Sequence, residues 1–148
     1  MVKALVYLDV SALNRPFDDQ SQPRIRLEAQ ALSSILAMAE AEDIELAVSS
    51  VHRFENARNP FPDRRRWVET CFGLAVRQCR LTDSIVQRAR ELGSQGISSL
   101  DALHLASAES LGCHDFLTCD DRIVRRYRGI MKVENPAVYV SRLPGRRP

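Results

Sequence analysis

The chain has 148 residues, 45% apolar, 27% charged and 6% aromatic, with a formal net charge of +2. These are ordinary values for a soluble globular protein, and no apolar run approaches the ~18 residues that a membrane-crossing helix needs. The length fits one domain that buries about two-thirds of its unfolded surface in a single core, so no second domain is expected.

Met1 to Leu8 is too short for a secretory signal and leads straight into Asp9, so a cytoplasmic chain is expected. The cysteines, Cys71, Cys79, Cys113 and Cys119, form no C-x-x-C pair and have no metal-site spacing with the histidines, which reads as free thiols in a reducing compartment. Lys3 and Lys132 are the only lysines. The positive charge is therefore almost all arginine, the better fork for phosphate oxygens.

Val2 to Leu8 is a near-continuous apolar run, which predicts a central strand buried on both faces. Asp9 falls at its carboxyl end, and Ser11 supplies a hydroxyl two residues on. Asn14 to Pro23 is polar and turn-rich and reads as a loop, Asp18 and Asp19 being assigned to a solvated turn. From Arg24 to Glu42, Leu27, Ala31, Ile35 and Met38, with Leu32 and Ala39, predict an amphipathic helix whose acids form a solvated face.

Glu45 to Val48 reads as a second strand, after which Ser49 or Ser50 caps a helix from Val51 that carries His52 and Glu55. Asn59-Pro60-Phe61-Pro62 breaks that helix. Another is predicted over Asp63 to Ala75, with Pro62 near its first turn and Arg64, Arg65, Arg66 and Trp67 along it. Val76 to Leu81 reads as a strand, and Thr82 caps a helix to Leu92 that Gly93 and Gly96 end.

The stretch ISSLDALHLASAESLGCHDFLTCDDR, from Ile97 to Arg122, organises the rest. Leu100, Leu103, Leu105, Ala106 and Leu111 recur at helical spacing, Ser98 or Ser99 caps them, and Gly112 ends the helix. Phe116, Leu117 and Thr118 form a buried strand that delivers Asp120 and Asp121 to its carboxyl end, where open α/β sheets place their ligands. Beyond it come a basic helix, Arg122 to Tyr127, and strands at Met131 to Val133 and Val138 to Val140. The tail from Pro144 to Pro148 is expected to be disordered. Strand and helix signals alternate throughout, which predicts a parallel sheet with helices on both faces.

Asp9, Glu55, Asp101 and Asp120, with Asp121 beside the last, thus stand at or just beyond strand ends in separate parts of the chain. Gathered carboxylates repel, and the usual remedies are a raised pKa or a bound cation. An all-oxygen set without a histidine or cysteine ligand suits Mg²⁺ or Mn²⁺ and disfavours zinc. Such an ion can orient a phosphodiester, lower the pKa of a bound water and stabilise transition-state charge.

The initial strand ending in Asp9 with Ser11 after it, Ser50 followed by Glu55, the run Asp101-Ala102-Leu103-His104-Leu105-Ala106, and Leu117-Thr118-Cys119-Asp120 together resemble the PIN domain, of the VapC toxin-like kind. The resemblance spans Met1 to about Val140. It implies an α/β/α three-layer sandwich around a mainly parallel sheet, a single PIN-like domain over residues 1–143, and a metal-dependent endoribonuclease.

In that reading Asp9, Glu55, Asp101 and Asp120 form the catalytic site. Asp9, Asp101 and Asp120 hold Mg²⁺ or Mn²⁺, and Glu55 binds the ion or orients the water. Ser11 or Thr118 adds a hydroxyl. Asp121 departs from the usual single acid, which leaves open which of the neighbouring pair points inward. The resemblance also implies an RNA substrate, a homodimer and a small antitoxin partner. Arg64, Arg65, Arg122 and Arg125 then make sense as phosphate contacts beside an acidic site.

Plainer assignments compete. Asp101 can serve a helix N-terminus, Asp120 can cap the following helix, and Glu55 can pair with Arg53 or Arg58. His104 reads as a structural histidine or as a hydrogen-bond partner of a site carboxylate. A receiver domain would want paired acids after the first strand and a lysine at a late strand end. A haloacid dehalogenase-like phosphatase would want an aspartate where Ser11 stands. A dinucleotide fold would want G-x-G-x-x-G, which is absent. The alternative that survives is a PIN-like module that binds RNA or protein without cutting.

Overall fold

The computed structural model describes residues 2–144. At its centre is β1 (Leu5–Leu8), every residue of which is buried. Side chains alternate along a strand. Val6 and Leu8 therefore enter one core with Leu32, Ile35, Val48 and Leu117, while Leu5 and Tyr7 enter another with Leu92, Leu105 and Phe116. Only a strand covered by helices on both faces can be apolar at every position, and this is why the run after Lys3 reads as continuous.

After β1 come α1 (Val10–Leu13), a single 3₁₀ turn at Arg15–Phe17 and the long α2 (Pro23–Glu40). They are followed by β2 (Glu45–Ser49), α3 (Ser50–Ala57), α4 (Pro62–Phe72) and β3 (Ala75–Cys79). The second half holds α5 (Asp83–Gly93), α6 (Ser99–Leu111), β4 (Asp115–Leu117), α7 (Asp121–Arg126), β5 (Lys132–Glu134) and α8 (Pro136–Ser141).

The five strands are ordered β3-β2-β1-β4-β5, and every pairing is parallel. One helical layer, α2, α4 and α8, closes the face of Val6 and Leu8. The other, α5 and α6, closes the face of Tyr7. This is the three-layer α/β/α sandwich expected from the alternation of elements. The chain leaves β1 for β2 and β3 on one side and later fills β4 and β5 on the other, so the strand order reverses between β1 and β4. Ligands of open α/β sheets sit outside the carboxyl ends at such a switch.

Several expectations require correction. Val138 to Val140 is not a strand but lies in α8. Its valines read as β, yet the Asn135 side chain accepts from the Ala137 N–H at 2.8 Å, Pro136 opens the first turn, and Tyr139 buries into the core. β1 begins at Leu5, and Val2 is exposed. Pro23 opens α2 instead of ending the loop, since the first helical position needs no N–H. α4 stops at Phe72.

On α2, Leu27 is exposed and Glu28 is buried, the reverse of the expected stripe and solvated acid. Glu28 is held by Arg15 at 3.0 Å, by Arg24 at 3.2 Å and by the Asn135 amide. A buried carboxylate is tolerated when it is paired in this way. It ties the loop after α1 and the start of α8 to one helix. The tail expectation beyond Pro144 falls outside the described residues.

Candidate active site

Asp9 leaves β1 with its backbone N–H bonded to the carbonyl of Leu117 at 3.1 Å, which fixes it across the switch point between β1 and β4. It caps α1. Its Oδ1 accepts from the Ser11 hydroxyl at 2.7 Å and from the Ala12 N–H at 3.0 Å. Burial raises the Asp9 carboxyl above its usual pKa, and hydrogen bonds from Thr118, Ser11 and Ala12 act against that rise. Thr118 is fully buried and also accepts from the Asp120 N–H at 3.1 Å, so one hydroxyl sets the positions of two acids.

β2 ends at Ser49, and α3 then carries Glu55 over the same edge of the sheet. Asp101 sits in the first turn of α6, where its Oδ2 accepts from the Ser98 hydroxyl at 2.6 Å. Asp120 caps α7 after β4. Asp9, Ser11, Glu55, Asp101, His104 and Asp120 line one cleft of about 60 Å³. All four acids proposed from sequence thus converge. Asp121 turns away, with both carboxylate oxygens on Arg24 at 2.7 and 2.8 Å.

Behind the acids lies a buried chain of polar groups that sequence reasoning largely missed. His104 Nε2 stands 2.8 Å from Glu55 Oε1, and Nδ1 stands 2.6 Å from the Tyr7 hydroxyl. Tyr7 in turn meets Ser49 Oγ at 2.8 Å. For a neutral imidazole donating to the carboxylate, the order is forced: Ser49 donates to Tyr7, Tyr7 to His104, and His104 to Glu55.

His52 lies against the Tyr7 ring at 4.3 Å between centroids. Its Nδ1 accepts from the Ser49 N–H, so its Nε2–H donates to the Leu8 carbonyl at 2.7 Å. Burial lowers its pKa to about 3. The signal for this chain was a tyrosine inside an apolar strand run, since a buried phenol needs a partner.

The donor set suits Mg²⁺ or Mn²⁺ in kind, being carboxylate oxygens without a thiolate, and the one imidazole lining the cleft, that of His104, has both ring nitrogens engaged by Glu55 and Tyr7. Its spacing as it stands does not: among the described residues, no three His, Cys, Asp or Glu are grouped closely enough to hold an ion. Each acid is turned onto a neighbour. Asp120 is the most committed, with Oδ1 3.2 Å from Arg122 Nε and Oδ2 3.0 Å from Arg122 Nη2, and Arg122 holds its carboxyl below the usual pKa. That arginine is two-thirds exposed, with 67% of its side chain open to solvent. Such pairs are held weakly, so the side chain is free to swing away.

Of the other arginines considered from sequence, Arg64 bonds Asp18 at 3.3 Å and the Phe17 carbonyl at 3.0 Å. Arg65 closes the turn between α3 and α4 through the Asn59 carbonyl at 2.5 Å. Arg125 and Arg122 line a second cleft, which shares Asp120 with the first. Among the described residues no helix is long and apolar enough to cross a membrane.

Comparison with known proteins agrees with the fold. The model of the PIN domain matches residues 6–129. A chain of the VapBC2 structure from Rickettsia felis, solved with a DNA fragment from their promoter, superposes with a TM-score of 0.57 at 12% identity, over 88% of this chain and 98% of that one. A protein from Pyrobaculum aerophilum superposes with a TM-score of 0.58 at 17% identity, over 93% of this chain and 88% of that one. No curated protein matches the chain.

Proposed function

The chain belongs to the PIN domain family, and from that membership we propose that it is an endoribonuclease that hydrolyses RNA phosphodiester bonds and depends on Mg²⁺ or Mn²⁺. The observation that supports this reading is the convergence of Asp9, Glu55, Asp101 and Asp120 on one cleft at the strand switch point. In this reading Asp9, Asp101 and Asp120 hold the cation once Arg122 releases Asp120, and Glu55 orients the attacking water or joins the ligand set. A cation bound there would lower the pKa of a water and offset negative charge developing on the phosphoryl and leaving oxygens.

The residues around these acids have defined tasks. Ser11 and the Ala12 N–H hold one Asp9 oxygen and leave the other free of them. Thr118 fixes the spacing of Asp9 and Asp120. His104 holds Glu55. Arg122, swung off Asp120, becomes a phosphate contact together with Arg125, whereas Arg64 and Arg65 are held on Asp18 and on the Asn59 carbonyl.

The fold shared with a chain of VapBC2 supports an antitoxin protein as partner, and we read the chain as a toxin that acts in the cytoplasm as a homodimer. We further read residues 1–143 as a single domain. The test is cleavage of structured and single-stranded RNAs with Mn²⁺ or Mg²⁺, with EDTA, and by Asp9→Asn and Asp101→Asn variants of comparable fold. Cutting that needs the metal and both aspartates is the expected result. A folded wild type that cuts no RNA, or variants that cut as well as it does, would favour a module that binds RNA or protein without cleaving, a reading that draws on the unassembled spacing of the acids.

A further inference from the structure

Beside the acidic cleft runs a groove of about 410 Å³, a volume in the range of small-ligand sites. Val10 and Glu55 line both, so the two share a wall. Phe54 and Phe61 line the groove and are 55% and 58% exposed. The Arg58 guanidinium lies 5.3 Å from the Phe54 ring centre, and Arg64 lies 5.3 Å from that of Phe61. Arg64 is spent on Asp18. Arg58, among the described residues, makes no ion pair: its positive charge is positioned by a ring and not neutralised.

Asn14, which also lines the groove, adds an independent sign. It is 9% exposed, its amide N–H donates to the Val10 carbonyl at 3.0 Å, and its amide oxygen has no hydrogen-bond partner. A buried acceptor left unpaired is uncommon in a folded chain.

We propose that this groove seats an unpaired nucleotide of single-stranded RNA next to the bond to be cut, with its base stacked on Phe54 and Phe61 and its phosphate at Arg58. The proposal rests on the ribonuclease reading and specifies the substrate class: a strand whose bases are free to leave a helix. Exposed aromatic faces stack any base, and a free arginine beside them takes the backbone charge. A protein segment could use the phenyl rings, but it gives no reason for an unpaired cation beside them or for continuity with the acids. On the far side, Arg122 and Arg126 line another cleft that contains Asp101 and Asp120. A strand laid in the groove therefore passes the four acids and meets positive charge again.

The test is equilibrium binding of labelled oligouridylate, oligoadenylate and an RNA duplex of the same length, all in EDTA so that no cutting occurs. Wild type is expected to prefer the single strands. Phe54→Ala with Phe61→Ala should weaken single-strand binding roughly tenfold or more, and Phe54→Trp with Phe61→Trp should restore it. Arg58→Ala should weaken binding and flatten its salt dependence. Both rings and the guanidinium are on the surface, and sedimentation of each variant reports its oligomeric state. Variants that hold single strands as tightly as wild type, or a wild type without single-strand preference, overturn the proposal. So does a change in oligomeric state with RNA affinity intact, which would make the groove a protein interface. Because binding is read without metal, failure of the groove is separable from failure of the nuclease reading. Cutting that needs Asp9 but ignores Phe54 and Phe61 removes the groove alone, and base stacking without any cutting removes the nuclease alone.

Discussion

His104 Nε2 donates to Glu55 Oε1 at 2.8 Å from a ring that is 1% exposed, while the glutamate is 32% exposed. The bond joins a solvent-facing acid of the cleft to the buried Tyr7 hydroxyl on the central strand. Helix α3 alone would leave the Glu55 side chain free among its rotamers. α6 supplies the partner that selects one of them.

If that bond positions Glu55 for catalysis, His104→Ala should lower cleavage at saturating RNA by about tenfold to hundredfold, the usual cost of losing a partner that orients a site carboxylate. KM for RNA should change little, because His104 is shielded from substrate. His104→Gln, which retains a donor, should recover part of the rate. Full activity in His104→Ala, measured on protein shown to be folded, would reduce the histidine to packing.

Asp9 should trade stability for function. Burial raises its folded-state pKa, so the folded chain favours the protonated acid, and the charged form is a penalty that appears as pH rises through that raised value. Asp9→Asn removes the charge and keeps an oxygen for Ser11 and Ala12. The variant should be more stable than wild type to urea at neutral pH, with the advantage shrinking as pH falls toward 4, and should be inactive. A less stable variant at neutral pH would show that the carboxylate's hydrogen bonds outweigh its burial.

Removing Arg122 tests whether Asp120 must be released before a cation binds. Arg122→Ala should tighten Mn²⁺ binding roughly two- to fivefold, the modest change expected for the loss of an exposed ion pair. Titration of Mn²⁺ followed by electron paramagnetic resonance reads this without any substrate. Unchanged affinity would mean that Asp120 is no ligand or that the pair never competes.

His52 sets a pH window for stability. Its folded pKa of about 3 lies below the ordinary 6.5, so the unfolded chain takes up the proton first. Its contribution is complete above pH 6.5 and is lost as pH falls from there toward 3, at up to about 1.4 kcal/mol per pH unit. Urea unfolding at pH 7 and pH 5 should show the loss in wild type and a smaller one in His52→Gln. Equal losses would sink the assignment.

Features with a local cause could be read from the sequence. An apolar run that stops at Asp9 is a buried strand with an acid at its end, because a strand covered on both faces has no other pattern. α6 follows from the spacing of its leucines and from Gly112, which adopts φ 77° where the helix ends. The alternation of such signals gave the parallel three-layer fold, and with it the strand ends at which acids gather.

The readings that failed or stayed open depended on partners distant in the chain. Val138 to Val140 has strand-like composition, but the Asn135 cap and the core under Tyr139 make it a helix. Glu28 looks like a solvated acid until Asn135, 107 residues away, bonds it. Asp120 and Asp121 are indistinguishable neighbours until Arg24, 97 residues away, takes Asp121 outward.

By itself, then, the sequence determined which segments are buried and therefore the order of strands and helices, since apolar periodicity is set by each residue's immediate environment. Which carboxylate faces the cleft, which histidine holds Glu55 and which arginine is left free were decided only by tertiary structure. The energy of a buried or paired charge depends on groups that only folding brings within hydrogen-bond distance.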